Sequence, residues 1–372
     1  MIKLFVVCSG LGRVNRGYES FARECFDALV DNPNLKVSLW KGGDVSKPKE
    51  TVLWNLPRDS QTAKLLGKLT RRGSYFIEQL TFTLSLLPRV SRLKPDIIYF
   101  SDGNLGNFLW HWRRLTGSKY KLLFSNGAPF LPPFDRWDYV QQVAPTHFQD
   151  ALAQGENAQK QEVVPYGIRM QSELCPLSFE EKQKIRKSLN LPLDRPIVIS
   201  VAAVNKSHKR MDYLIREVAA LPSPRPFLLM LGQQDEETPA VLALAQKLLG
   251  EANFAVRTVP WREVHSYYSV SDIFVLASLS EGFGRVFLEA ASYGLVCFAH
   301  DYDLTRYVLG EYGEFGNFER PSELAALLQN RIDNPEDESK CQARHLDIYK
   351  RFSWDVLTSP YVKMIQNCHS MR

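Results

Sequence analysis

The sequence predicts an α/β protein of two domains, each a sheet flanked by helices, and three observations carry that expectation. Short apolar runs suited to buried strands alternate with stretches of helical spacing along the chain. That rhythm lapses in a polar, charge-rich stretch over 168–195 and restarts at Pro196, as a linker between domains would make it do. The 372 residues suffice for two domains of ordinary size.

Composition narrows the class. An apolar content of 45% with 12% aromatics excludes disorder. No apolar run approaches the roughly 18 residues of a membrane span, so a soluble globular protein is expected. The opening run Met1–Cys8 is short and meets Gly-rich sequence without a cleavage site, which makes it a first buried strand and not a signal peptide. Cysteines at 8, 25, 175, 297, 341 and 368 show no C-x-x-C spacing, and several lie in core-like strands. A reduced, cytoplasmic setting is the expectation. The net charge of +5 is modest for this length and implies no nucleic-acid partner.

After the first strand comes the loop Ser9–Glu19, then a helix with Phe21, Cys25, Ala28 and Leu29 on one face. A strand, Gly-rich loop and helix suit a phosphate or dinucleotide. However, the G-x-G-x-x-N pattern, with Asn15 last, lacks the third glycine, and the strand 36–40 ends in Lys41 where a dinucleotide site needs an acid. A plain strand-to-helix turn is the other reading.

Residues 58–94 hold eight Lys and Arg against Asp59 and Glu78, interleaved with leucines and phenylalanines. Such a segment fits either a peripheral contact with an anionic membrane or a helix packed on a sheet with a solvated basic face. The next strands, 95–100 and 120–124, end in the polar turns Ser101–Asn104 and Ser125–Gly127. Ligands of open α/β sheets sit beyond the carboxyl ends of strands, so Asp102 and Asn126 become candidates to face a ligand. His111 and Trp112 fall inside a helical stretch as packing or surface groups, and His147 at the start of another helix.

The second half reads as strand 197–202, helix 210–220, strand 227–231, helix 239–249 and strand 254–258. Lys206, Lys209 and Arg210 precede its first helix, where the dipole disfavours cations; a bound polyanion would reverse that balance. Further on, the strand 273–276 turns through Glu281-Gly282-Phe283-Gly284 into a helix with Leu288, Ala291 and Leu295, followed by the strand 296–299. Paired glycines let the backbone approach a ligand, and the helix start favours an anion or a cluster of hydroxyls. Glu289, about two helical turns beyond Glu281, can meet the far end of an elongated ligand.

The string E-G-F-G-x-x-x-L-E-A, with seven residues between its glutamates, resembles the retaining GT-B glycosyltransferases of the family-4 type. The resemblance implies two Rossmann-like domains facing a cleft, 1–168 on the acceptor side and 169–355 on the nucleotide-sugar side, with a terminal helix over 356–372 crossing back to the first. It implies that Glu281 with Gly282, Phe283 and Gly284 holds donor-sugar hydroxyls, with Arg285 beside them, and that Glu289 holds the ribose. Gly12, Arg16 and Gly17 would face the donor phosphate or the acceptor, and Asp102 and Asn126 would lie on the acceptor side. Lys209 matches the lysine that holds the diphosphate. The companion arginine position carries Ala203, with Lys206 or Arg210 as substitute. Val259 would touch the base through its backbone, and Trp261 is core or a stacking group.

Arg285 and Val286 depart from the apolar-proline pair of the family, so the sugar is not implied. The triplet Asp301-Tyr302-Asp303 matches the D-x-D motif of the other glycosyltransferase fold, but it follows the last large strand and reads as a turn and helix cap. The implied activity is transfer of a hexose from a UDP- or GDP-linked sugar to a glycan, lipid-linked or small-molecule hydroxyl. It needs no metal or cofactor, and Glu281, Lys209, Arg210 and Asp102 are the catalytic candidates. A sugar-nucleotide epimerase and a non-catalytic nucleotide-sugar-binding subunit are the alternatives.

Overall fold

A computed structural model describes residues 1–14 and 16–371; Asn15 and Arg372 lie outside the described residues. The chain forms two compact units, Met1–Arg169 with Phe352–Arg372, and Met170–Arg351. The return to the first unit falls at Phe352, against an expected 356.

The first unit contains β1 (Ile2–Cys8), α1 (Gly17–Leu29), β2 (Leu35–Lys41), β3 (Glu50–Val52), α2 (Gln61–Leu69), α3 (Gly73–Leu93), β4 (Ile97–Phe100), α4 (Gly103–Thr116), β5 (Lys121–Asn126), β6 (Tyr139–Gln142), α5 (Pro145–Ala153) and β7 (Gln161–Val163). Its strands pair in parallel in the order β3-β2-β1-β4-β5-β6-β7. Parallel strands are covered on both faces, and so β1 from Leu4 onward and the whole of β4 are apolar and buried. Residues 58–94, taken together in the sequence, are two helices with different duties. α3 buries Ile77, Phe82, Leu86 and Val90, whereas α2 buries only Ala63 and Gly67.

The second unit contains α6 (Phe179–Ser188), β8 (Ile197–Val201), α7 (Met211–Ala219), β9 (Phe227–Leu231), α8 (Thr238–Leu249), β10 (Phe254–Arg257), α9 (Val264–Tyr268), β11 (Ile273–Leu276), α10 (Arg285–Ser292), β12 (Val296–His300), α11 (Asp303–Leu309), β13 (Gly313–Gly316) and α12 (Glu323–Asp333). Two helices follow, α13 (Glu338–Phe352) and α14 (Trp354–Ser370). The sheet is again parallel, in the order β10-β9-β8-β11-β12-β13. Its core joins Val198, Leu228, Val275 and Phe298 of the strands to Leu214, Val241 and Leu324 of the helices.

α14 packs within the first unit. Ile168 N–H donates to the Phe352 carbonyl at 2.8 Å and its own carbonyl accepts from Trp354 N–H at 3.2 Å, a bridge across the start of the helix. Trp354 donates from Nε1 to Glu24 at 3.1 Å, and Tyr361 takes a 2.8 Å bond from Gln141 while donating to the Pro165 carbonyl at 2.9 Å. Both rings pack on Phe21 of α1.

In each sheet the chain order reverses between two neighbouring strands, β1 and β4 in the first unit and β8 and β11 in the second. Connections leave these neighbours toward opposite faces, which opens a crevice at their carboxyl ends.

Candidate functional site

The loops leaving β8 and β11 carry Lys209 and Glu281, and the reversal of strand order brings the two together. Lys209 Nζ donates to Glu281 Oε1 at 2.6 Å. The side chains are 16% and 12% exposed, enough shielding to make the pair stronger than a surface ion pair. Both ends are braced. Lys209 N–H donates to Asn205 Oδ1 at 2.8 Å, while Glu281 N–H donates to the Tyr302 hydroxyl at 2.8 Å. Burial pushes the Tyr302 phenol up to about 12, so it keeps its proton.

Gly284 lies at φ +76°, a backbone shape that favours glycine, and a Cβ there would come within 2.8 Å of the Phe287 ring. Phe283 and Arg285, which flank Gly284 in the chain, are both buried and anchor the turn that leads from Glu281 into α10. Glu289, on α10, accepts from the Tyr268 hydroxyl at 3.3 Å. Burial and then the charge of Glu289 push that phenol well above its ordinary value, which fixes it as the donor. The Ser278 hydroxyl, buried after β11, has no partner among the described residues.

The other cations of the second unit are placed differently. Arg210 donates to the Phe318 carbonyl at 2.7 Å and lies 4.5 Å over the Tyr213 ring, so its charge is held on the α7 side. Lys206 is exposed, and its backbone N–H with that of Ser207 binds Glu237. Val259 is half-buried after β10. Trp261, expected as core or as a stacking group, is 49% exposed because it opens a short turn beyond the sheet, which rules out the core reading. Asp301 accepts two bonds from Arg306, at 2.5 and 2.7 Å, that hold its carboxyl below the usual range. Asp303 is the first residue of α11, and the capping position belongs to Tyr302. The useful member of the D-x-D triplet is thus its tyrosine.

A second polar cluster occupies the switch point of the first unit. The Ser9 hydroxyl, just past β1, lies 3.2 Å from both Asp102 and Glu78. Asp102 also accepts from Tyr75. Arg58 donates to both oxygens of Glu78 and stands 3.8 Å from Glu19. Burial raises the Asp102 carboxyl, and burial followed by repulsion from Asp102 pushes Glu19 up to about 7. Gly12, at φ +88°, packs so close to the 43–44 turn that a Cβ would lie 2.4 Å from the Gly43 carbonyl carbon. Arg16 is the exposed N-cap of α1, and Gly17 its first residue. Asn126 is buried, bonded to Gln142 and to both backbone groups of Phe130, so its amide holds the 127–130 turn. His147 is buried in the first turn of α5, and burial lowers its pKa.

Because the folded state raises the Glu19 carboxyl, the associated stability is present at low pH and is lost as pH rises from the ordinary carboxylate range through about 7. Glu19→Gln removes the ionisation and leaves Arg58 with Glu78. We expect it to stabilise the protein on the order of 2 kcal/mol at alkaline pH and little at acid pH. Urea unfolding at both pH values checks this; parallel losses would assign Glu19 a different state.

Asn205, Tyr268, Tyr302 and the Ser9–Arg58–Glu78 group are not among the site residues expected from the sequence. Only Ser9 carries a signal, as a polar residue directly after a strand; the others reach their partners through tertiary packing.

Two parallel α/β units and a terminal helix returning to the first define the GT-B class of fold. Within it, residues 181–345 match the family described as glycosyl transferases group 1. A putative teichuronic acid biosynthesis glycosyltransferase, TuaC of Bacillus subtilis (strain 168), is 31% identical over 128 residues, 34% of this chain and 30% of that protein. The chain thus matches less than a third of that relative's length. Among solved structures, sucrose-phosphate synthase from Thermosynechococcus elongatus superimposes with a TM-score of 0.79 at 16% identity, covering 98% of each chain. Anabaena HepE, determined in complex with UDP and glucose, gives 0.76 at 14% identity, covering 98% of this chain and 100% of that one. These structural likenesses establish the fold.

Proposed function

We propose that the protein is a retaining glycosyltransferase that moves a hexose from a UDP- or GDP-linked sugar to a hydroxyl acceptor, the donor lying at the switch point of the second unit. The observation that carries this reading is the Lys209–Glu281 pair at that switch point. In glycosyl transfer a diphosphate departs while the anomeric carbon becomes cationic, so a site needs a cation for the phosphate and a hydroxyl acceptor for the sugar. Lys209 supplies the first and Glu281, with the backbone of 282–284, the second. Glu289, one end fixed by Tyr268, accepts from the ribose. Arg210 keeps the loop in shape through Phe318, which leaves Lys209 as the cation that meets the phosphate. The first unit takes the acceptor at its own switch point, near Asp102. The match over 181–345 and the UDP complex of HepE support this division of labour.

The test is turnover of a panel of nucleotide sugars by the purified chain, with and without hydroxyl acceptors. One nucleotide sugar should be consumed, faster with acceptor, and the rate should be unchanged by EDTA because Lys209 and the start of α10 do the work of a divalent ion. A rate abolished by EDTA and restored by Mn²⁺ would return Asp301 and Asp303 to consideration as ligands; no consumption of any donor would remove the reading.

A further inference from the structure

We infer that the first unit docks on an anionic phospholipid surface through α2. A helix of a globular protein normally turns its large apolar residues inward. α2 does the reverse. It meets its neighbour through Ala63 and Gly67, and a Cβ on Gly67 would lie 2.5 Å from the Gly73 carbonyl carbon and 2.6 Å from Ser74 N, so this small-residue face is pressed against the start of α3. At about 100° per residue, Leu65 and Leu69 then point away from the protein. They are 60% and 72% exposed, with Leu66 beside them at 36%. Nothing in the first unit needs these leucines for its core, which α3 completes with Phe82 and Leu86.

Charge selects the partner. Lys64, Lys68, Arg71 and Arg72 flank the leucines and are exposed. Between Arg58 and Ile77 the only acid is Asp59. A protein partner would have to match both an apolar ridge and four cations, while an anionic bilayer offers phosphates at its surface and hydrocarbon just below. Beyond the end of α2 lies a surface cavity of about 380 Å³ whose wall includes Thr70, Arg72, Asn104, His111 and Arg136. With cations and amides on its wall and Arg72 shared with the basic flank, it suits a headgroup phosphate. Among the described residues no helix is long and apolar enough to cross a membrane, so the contact is one of lying on the surface. This inference stands independently of the transfer reaction.

Co-sedimentation of the full chain with vesicles tests it. The wild type should pellet with phosphatidylcholine–phosphatidylglycerol vesicles, and much less with phosphatidylcholine alone or at high salt. Leu65→Ser/Leu69→Ser should weaken binding by roughly tenfold or more. Neutralising Lys64, Lys68, Arg71 and Arg72 to Gln should cost about fivefold per residue. These side chains are exposed, so circular dichroism and melting should be unchanged. Equal sedimentation of the leucine variant and the wild type would overturn the proposal. So would a wild type that ignores anionic vesicles, whether it binds a nucleic acid instead or forms a dimer that the leucine variant dissolves.

Discussion

Glu281→Ala is expected to lower transfer by ten- to a hundredfold while nucleoside diphosphate binds as well as before, or slightly better. Glu281 neutralises Lys209 across 2.6 Å. Removing the carboxylate deletes a charge-assisted acceptor for sugar hydroxyls, worth roughly 1.5–3 kcal/mol. A loss of that size in the transition state corresponds to the stated drop in rate. It also leaves the Lys209 ammonium without a competing anion, so the diphosphate loses nothing. Lys209→Ala acts in the opposite sense. It strips the phosphate of its cation and leaves the Glu281 carboxylate unopposed beside a dianion, and both nucleotide affinity and transfer should fall. Steady-state rates with the donor and a separate titration with the nucleotide distinguish the two.

Glu289→Ala is expected to weaken nucleoside diphosphate binding by about ten- to a hundredfold, since a carboxylate that accepts from two ribose hydroxyls contributes in the same range. The geometry sharpens this expectation. Tyr268 donates to Oε2 of Glu289, which restrains the side chain and leaves it less rotamer freedom to lose on binding. Tyr268 also stacks on Tyr293 at 5.8 Å, which gives it a rigid setting of its own. A Tyr268→Phe change should therefore produce a smaller loss in the same direction. Equilibrium binding of UDP and GDP measures both, and an affinity untouched by Glu289→Ala would separate this glutamate from the nucleotide.

The fold was legible because parallel strands write themselves as apolar runs and most are followed by a helix of clear period. The restart at Pro196 marked the second sheet for the same reason. Less legible was β3, three residues long and with only Glu50 buried, and β13, whose Gly313 and Gly316 give no apolar run. In the candidate site, Lys209 and Glu281 stood out through glycine spacing and misplaced charge, and the fold brings them into contact. Arg210 looked equivalent to Lys209, but a left-handed backbone at φ +50° sends it to Phe318, a choice no spacing rule encodes. Asn126 looked like a ligand group because it ends a strand; the turn 127–130 needs it more. Tyr268, Tyr302 and Arg58 act across tens of residues of sequence, where only packing decides who meets whom. The leucines of α2 left two readings open, membrane contact or a packed helix, because both share one pattern, and only the contact at Gly67 shows which face is turned in.

The most direct measurement of the two-ended donor site is one calorimetric titration of nucleoside diphosphate, repeated on the wild type, Glu281→Ala and Glu289→Ala. An affinity kept in Glu281→Ala and lost by at least tenfold in Glu289→Ala is the result predicted for a site that holds sugar at one end of the turn and ribose at the other. Equal losses in the two variants, or none in either, would contradict it.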